Sequence, residues 1–489
     1  MIVTKRYLCW DDKLIEKSKN IQIVMHKPEK KNVALICDDE WEGVYNGYAS
    51  VIKLGEIYRM YYRAEASNLN CDGTVSISKA VICVAESYDG GLTYKKININ
   101  KYIYNGTRNN NIVFSREESI DNFSVFYDTN PKCPENEKFK ALCRTFIGEN
   151  KVRLMYYSSA DGLAFKENGI LEKIGDFEKN IALDSYNVTF WDENTQQYFL
   201  YYRDFHKKGK SDIFARDAEP HLIDSVRDVR LATSKDFKTW ECHGRISFDE
   251  HQDDTALYTN QIVKYYRCDD CFIGFPVRYI DRAKEIENFK FMPLSDRRKL
   301  ITKHFGREGT SLTDCVIMTS NDGFIFNRRD EAFLTPGIEN RNNWWYGNCY
   351  TVYGLVETRS ENEFAPNEIS FYVNENYQIK NVNFRRYTVR LDGFFSWYAP
   401  FSGGEIITKP IKIEGDNLYI NFATSALGGL NITLCDENGT EINGYKSYTI
   451  FGDGIERPVE FEKPLSAIKG RNVKFKICFK DAHLYSFCF

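Results

Sequence analysis

One short phrase recurs four times along the chain: Ser87-Tyr88-Asp89-Gly90-Gly91-Leu92-Thr93-Tyr94, Ser159-Ala160-Asp161-Gly162-Leu163-Ala164-Phe165, Ser234-Lys235-Asp236-Phe237-Lys238-Thr239-Trp240 and Ser320-Asn321-Asp322-Gly323-Phe324-Ile325-Phe326. Each copy follows an apolar stretch (81–85, 152–157, 229–232, 315–318) and ends on an aromatic that opens another. Asp-Gly between two such runs is a tight hairpin, because Gly accepts positive φ and the Asp side chain bonds the turn's own amides. The copies lie about 70 to 90 residues apart, too far for a solenoid and right for four-stranded propeller blades with long loops.

Each unit also opens alike, with a strand and a tyrosine-rich return strand: 48–53 with 57–63, 123–127 with 139–144, 186–191 with 198–203, and 258–265 with 271–278. A fifth, less regular unit spans 345–357 and 368–373. Five such units predict an all-β chain whose first domain, residues 1–382, is a five-bladed β-propeller. The 34 Phe and 32 Tyr against 12 Pro agree, since sheets favour aromatic sequence. The best helix signal, 280–289, is short and charged. From residue 383 to 489 the phrase stops and shorter strands follow (405–413, 417–424, 430–435, 459–461, 473–479), which predicts a C-terminal β-sandwich. That half carries no catalytic pattern. It reads as a packing module supporting a loop of the propeller or of a neighbouring copy in a homo-oligomer.

A net charge of −4 with no long Lys/Arg run argues against nucleic acid as a partner. The apolar segments are strand-sized, so no membrane span is expected, and the first ten residues lack a secretory signal's apolar core. The 14 cysteines are scattered without paired CxxC motifs. They read as buried thiols of a cytoplasmic protein, with disulfides in an exported chain as the alternative. Cys268 and Cys271 have no second pair to complete a zinc site, and no metal site is expected.

In a propeller the inner strands start at one mouth of the channel, so residues at their N-terminal ends crowd that mouth. Those positions read as Glu42 (with Asp38, Asp39 and Glu40 nearby), Asp128, Asp184 and Asp254, with Glu357 as the fifth blade's acid. Carboxyl groups crowded together acquire split pKa values, as glycosidic cleavage needs: one protonated acid and one ionised partner. The return strands end in Tyr61-Tyr62-Arg63, Leu142-Cys143-Arg144, Tyr201-Tyr202-Arg203 and Pro276-Val277-Arg278, which predicts a ring of arginines on the same rim. Guanidinium forks suit a carboxylate or phosphate, or simply pair with neighbouring acids. Tyr186, Asn187, Tyr258, Asn260, His206 and Trp345 are sugar-binding candidates, since aromatic faces stack on sugars and Asn serves two hydroxyls.

The five units, their Ser-x-Asp-Gly corners, the acids at strand starts and the trailing sandwich resemble the five-bladed-propeller glycoside hydrolases, the fructosidases, arabinofuranosidases and xylosidases of families 32 and 43. The chain lacks the fructosidase segments Trp-Met-Asn-Asp-Pro-Asn, Arg-Asp-Pro and Glu-Cys-Pro, so the resemblance is to an atypical branch. It implies three catalytic carboxylates from the first three blades, at Glu42, Asp128 and Asp184, and no cofactor beyond a structural calcium that some relatives hold in the channel. The expected activity is an exo-acting glycosidase that releases a terminal, furanose-type sugar from an oligosaccharide or glycoside. Two other readings stand beside it: a sialidase-like hydrolase of acidic sugars using the Arg cluster, since Ser87 to Tyr94 matches the sialidase Asp-box, and a non-catalytic glycan-binding propeller. A phosphorolytic or transferase variant is a further form of the first.

Overall fold

The computed structural model describes residues 5–70, 73–118, 120–148, 151–172, 174, 182–215, 224–249, 254–293 and 295–489. Five antiparallel sheets surround one channel, and the inner strands of neighbouring blades touch across it. Blade one comprises Gly47–Leu54, Ile57–Glu65, Ala80–Ser87 and Lys95–Lys96; blade two Ser124–Tyr127, Phe139–Ile147, Lys151–Ser159 and Lys166–Ile170. Blade three comprises Val188–Asp192, Gln197–Lys207, Ser225–Ser234 and Trp240–Arg245; blade four Val263–Lys264, Phe272–Gly274, Met318–Ser320 and Ile325–Arg328. In blade four the return strand is broken at Pro276, which has no N–H for the ladder, and resumes as Val277–Asp281 paired with Ser311–Cys315. The residues between these two segments form an insertion that contains the helix Ser295–Phe305.

Blade five consists of Val356–Thr358, Glu368–Glu375 and Val382–Arg390, and its outer strand is Glu29–Cys37 from the start of the chain. The ring therefore closes through an N-terminal strand. This moves the boundary expected at 382/383: residues 383–390 complete the propeller. The N-terminal strands Arg6–Leu8, Ile15–Lys19 and Gln22–Met25 pair with C-terminal strands instead. Segments this short, such as Ile-Glu-Lys-Ser-Lys at 15–19, carry no alternation that would name a partner, and the sequence reading counts them with the propeller.

The C-terminal unit is built on two long strands, Leu418–Cys435 and Asn472–Cys488, paired along most of their length. Trp397, Ile406, Phe422, Ile432, Phe475 and Ile477 form its core. Asp392, fully buried, joins this unit to the propeller. Its carboxylate accepts from Arg6 Nη1 at 2.8 Å and Ser486 Oγ at 2.7 Å on one side, and from Tyr265 Oη at 2.6 Å and Arg267 Nε at 2.8 Å on the other. Burial pushes this carboxyl up, but Arg6 and Arg267 outweigh it and hold it below the usual carboxylate range.

The repeated phrase is the corner between third and fourth strands. In blade one Ser87 Oγ accepts from Gly91 N at 2.9 Å, and Asp89 Oδ1 accepts from Leu92 N and Thr93 N, both at 3.0 Å. The copies at Asp161, Asp236 and Asp322 repeat the Asp-to-amide pattern. Backbone bonding holds each of these carboxyls below its ordinary value, against the opposing effect of burial, which is the largest single influence at Asp89, Asp161 and Asp322.

Three of the corners are clamped by the preceding blade. Tyr61 Oη donates to Gly162 O at 2.9 Å, Tyr201 Oη to Gly323 O at 2.8 Å, and Tyr372 Oη to Gly91 O at 2.5 Å. The tyrosines of the return strands are thus the staples between blades. Gly162 sits at φ +72°, and a Cβ there would stand 2.3 Å from Tyr61 Oη. Gly162→Ala is expected to destabilise the protein by about 2 to 3 kcal/mol, read as a fall in thermal midpoint, because the substitution both strains the backbone and displaces the staple. Gly106→Ala, at φ +81° with nothing within 4 Å of the added Cβ, isolates the backbone cost and is expected to lose only about 1 kcal/mol.

Candidate active site at the propeller mouth

Inner strands run away from the mouth and return strands come back to it, so the last residues of each return strand reach the rim. Arg63, Arg144 and Arg203 arrive there as the sequence pattern predicts. Arg63 Nε donates to Ile120 O at 2.9 Å, and its guanidinium pairs with Glu65. Arg144 pairs with Asp121 and stands 3.8 Å from the carboxylate of Asp184. Arg203 Nη1 donates to Asp184 O at 3.0 Å and lies over the Tyr258 ring, 5.0 Å from its centre.

Two further guanidiniums complete the rim. Arg227, from the third strand of blade three, stacks 4.3 Å from the Tyr279 ring centre and 5.4 Å from that of Tyr258. Arg307, from the blade-four insertion, lies 4.9 Å from the Tyr279 ring centre. Burial, then the charges of Arg203 and Arg307, pull the Arg227 guanidinium down to about 10.

The insertion also delivers Glu308. Its carboxyl is pushed up to about 7, by burial first and then by the negative charges of Glu65 and Asp184; Gln378, which donates to it, and Arg307 oppose the rise. Gly309 allows this placement, because a Cβ there would meet Thr302 Oγ1 at 2.1 Å and Arg298 O at 2.6 Å. Asp184 is likewise raised, again by burial, while Arg203 and Arg144 pull it back. The Asp184 side chain nevertheless remains 40% exposed at the rim and can meet a ligand.

Tyrosines floor the mouth. Tyr346 Oη donates to Tyr258 Oη at 2.7 Å, and Tyr48 stacks on Tyr186 at 5.9 Å with ring planes 6° apart. Between Tyr48, Arg63, Tyr346, Tyr350 and Tyr377 is a cup of about 30 Å³, room for one water. Beside the mouth Arg227 also lines a groove of about 400 Å³, bounded by His206, Lys210, Phe248, Asp254 and Leu257.

Several expected site residues lie elsewhere. Asp128 follows its inner strand instead of preceding it, so it sits at the far end of blade two, fully buried. It is ion-paired to Lys140 Nζ and accepts from Tyr198 Oη at 2.8 Å. Glu42 is fully buried between blades one and five, accepting from Tyr62 Oη at 2.6 Å, Lys96 Nζ at 2.7 Å and Asp39 N at 2.9 Å. Asp38, Asp39 and Glu42 are close enough to share a cation, but the Lys96 ammonium fills their centre, at 2.7, 2.9 and 2.7 Å from them respectively. Glu357 lies toward the far end of blade five's inner strand and accepts from Tyr266 Oη at 3.1 Å and Asn367 Nδ2 at 2.8 Å. The three-acid set that the resemblance implied is therefore not assembled: of Glu42, Asp128 and Asp184, only Asp184 stands at the mouth.

Arg278 turns away as well. It forks onto Asp314 at 2.7 and 2.6 Å, on the strand face opposite Tyr279. Asn187 and Asn260 are buried in backbone bonding. Asn187 Oδ1 accepts from Arg203 N at 3.0 Å, and Asn260 Nδ2 donates to Tyr186 O at 3.3 Å. Trp345, fully buried, packs under Arg298 at 4.2 Å and anchors the insertion. His206 is held between Asp228 at 3.0 Å and Asp254 at 3.1 Å on the groove wall. Tyr258 is in the mouth, and Tyr186 is in its floor.

Asp121, Arg227, Tyr279, Arg307 and Glu308 escaped the sequence reading. Two signals pointed to the last two: the unusually long gap between blade four's second and third strands, and a charged Arg-Glu pair bracketed by Gly306 and Gly309.

No family model matches the chain, and no curated protein sequence does. Among solved structures it is similar to one titled simply glycoside hydrolase, with a TM-score of 0.46 and 12% identity over 74% of this chain and 92% of that one. A glycosyl hydrolase from Bacteroides ovatus gives 0.41 and 12% over 74% and 93%. A third structure is titled for the GH130 family of mannoside phosphorylases and its hydrolases of β-1,2 mannosidic linkages in Candida mannan. It gives 0.41 and 11% over 74% and 94%.

The burial of Asp128 gives a direct check on its role. Asp128→Asn leaves the Lys140 ammonium buried without its counter-ion and is expected to cost about 3 to 5 kcal/mol of stability, read by chemical denaturation. Ligand affinity at the mouth of the folded fraction should be unchanged.

Proposed function

We propose that the mouth is the active site of a glycosidase that works from the end of an oligosaccharide or glycoside. One observation carries this reading: Glu308, a carboxyl group with its pKa near 7, shares the mouth with Asp184, which burial raises and which Arg203 and Arg144 pull back toward its ordinary value. Two carboxyl groups in one mouth, one able to hold a proton at neutral pH and one set among cations, are what acid-assisted glycosidic cleavage requires.

In this reading Glu308 gives its proton to the departing glycosidic oxygen as the bond to the anomeric carbon breaks. Asp184 acts across the ring, on that carbon or on the attacking water. Tyr258 and Tyr279 carry the guanidiniums of Arg203, Arg227 and Arg307 on their faces, and Asp121 holds Arg144 in place. Exo action is part of the proposal, and the tyrosines close the bottom of the mouth. The sugar released is, in the finer reading, furanose-type, as in the arabinofuranosidases that the sequence resembles.

The test is mass spectrometry of a panel of neutral furanosides, neutral pyranosides and acidic glycans incubated with the protein and two variants. The intact protein is expected to release a terminal sugar, and Glu308→Gln and Asp184→Asn should each slow release by about 10²- to 10⁴-fold. Saturable glycan binding without release would replace this reading with a non-catalytic platform. Because Glu308 must be protonated to act, release should fall as pH rises through about 7, and the Glu308→Gln variant should lose that dependence.

A further inference from the structure

The charges of the mouth do not balance. Arg63 is paired with Glu65 and Arg144 with Asp121, but Arg203, Arg227 and Arg307 have no carboxylate within ion-pair distance among the described residues. Arg203 and Arg227 are 3% and 8% exposed, and the Nε of each is buried without a hydrogen-bond partner; so is Nη1 of Arg307. All three guanidiniums converge on the two tyrosine rings: Arg203 and Arg227 on Tyr258, Arg227 and Arg307 on Tyr279. The acids that face them are Asp184 and Glu308, so at least one positive charge is left over.

Such an arrangement is expensive. Guanidinium groups withdrawn from water need hydrogen-bond acceptors, and three like charges sharing two rings repel one another. Tyrosine faces return part of that cost, and Tyr279 also accepts from Arg307, but Nε of Arg203 and of Arg227 and Nη1 of Arg307 still meet no acceptor. An oxyanion supplies what is missing: charge for the excess and several lone pairs for N–H groups. Repeat inheritance does not explain the set, because Arg227 lies on a third strand and Arg307 on an insertion, outside the return-strand pattern that placed Arg203.

We propose that Arg203, Arg227 and Arg307, backed by Tyr258 and Tyr279, form an oxyanion subsite beside Asp184 and Glu308, filled by the carboxylate of an acidic sugar or by an inorganic phosphate ion. Arg227 also lines the adjoining groove, so a glycan anchored here has room to extend over blades three and four. The inference rests on the mouth's charge pattern and deepens the glycosidase reading without requiring turnover.

The experiment is titration calorimetry on the full-length protein with galacturonate, glucuronate, inorganic phosphate, and galactose and glucose as neutral controls. The same titrations are made on Arg227→Gln and Arg307→Gln. Arg307 lies outside the blade sheets, so its variant keeps the fold testable if Arg227→Gln is unstable. An anion is expected to bind at least about tenfold more tightly than the neutral sugars, with that margin lost in either variant. A uronate that wins assigns the subsite to the substrate's own carboxylate. Phosphate that wins, with uronates no better than neutral sugars, assigns it to a separate ion. Anions binding no better than neutral sugars, or equally well to both variants, overturn the proposal. Sugar release by the same preparation, scored separately, keeps failure of this subsite distinct from failure of the glycosidase reading.

Discussion

The geometry of the mouth depends on closing the ring. Blade five takes its outer strand, Glu29–Cys37, from the beginning of the chain and pairs it with Val382–Arg390, more than 340 residues later in sequence. Only with that pairing do inner strands from all blades face one channel and return strands deliver their arginines to one rim. Asp392, two residues beyond the closing strand, ties the closure to the C-terminal unit through Arg6 and to blade four through Arg267. Burying that carboxylate is affordable because two guanidiniums and two hydroxyls meet it. The ion pair contributes stability that is present above the unfolded carboxylate range and is lost as pH falls through its depressed folded value.

The same charge logic takes the opposite sign at the mouth. Along the blade interfaces, several buried polar groups meet partners: tyrosine hydroxyls staple corners, Asp128 meets Lys140, and Glu42 meets Lys96 and Tyr62. At the rim, guanidiniums are stacked on rings with nitrogens left over, and a carboxyl is raised close to neutrality. Three stacked guanidiniums and a raised carboxyl meet at this one rim, which makes it the candidate for ligand binding.

Much of this was legible in the residues. The Ser-x-Asp corners, with Gly next in three of them and Phe237 in the fourth, marked four blades, and the paired strands before them gave the five-unit ring. The arginines that end the return strands bring Arg63, Arg144 and Arg203 to one rim, because strand direction alternates and the ends of these three strands reach the same face. Asp128 misled because it reads with the acids at strand starts although its strand, Ser124–Tyr127, ends just before it; the geometry puts it at the opposite end of the channel. Arg278 misled because a break at Pro276 changed which strand face meets the mouth. Glu308 and Arg307 were hidden in an insertion with no counterpart in the other blades, so periodicity had nothing to say about them. The N-terminal strands were hidden for a different reason: their partners lie hundreds of residues away, and local pattern carries no pairing information.

The central claim is that sugar chemistry takes place between Glu308 and Asp184. The most direct measurement is a crystal structure of the Glu308→Gln variant soaked with an oligosaccharide that the intact protein cleaves. The account expects the terminal sugar in the mouth, its glycosidic oxygen within about 3.5 Å of the residue-308 side chain, and Asp184 on the opposite face of the ring. A sugar seated only in the groove beside His206 and Asp254, or on the C-terminal unit, with the mouth left to solvent, would contradict it.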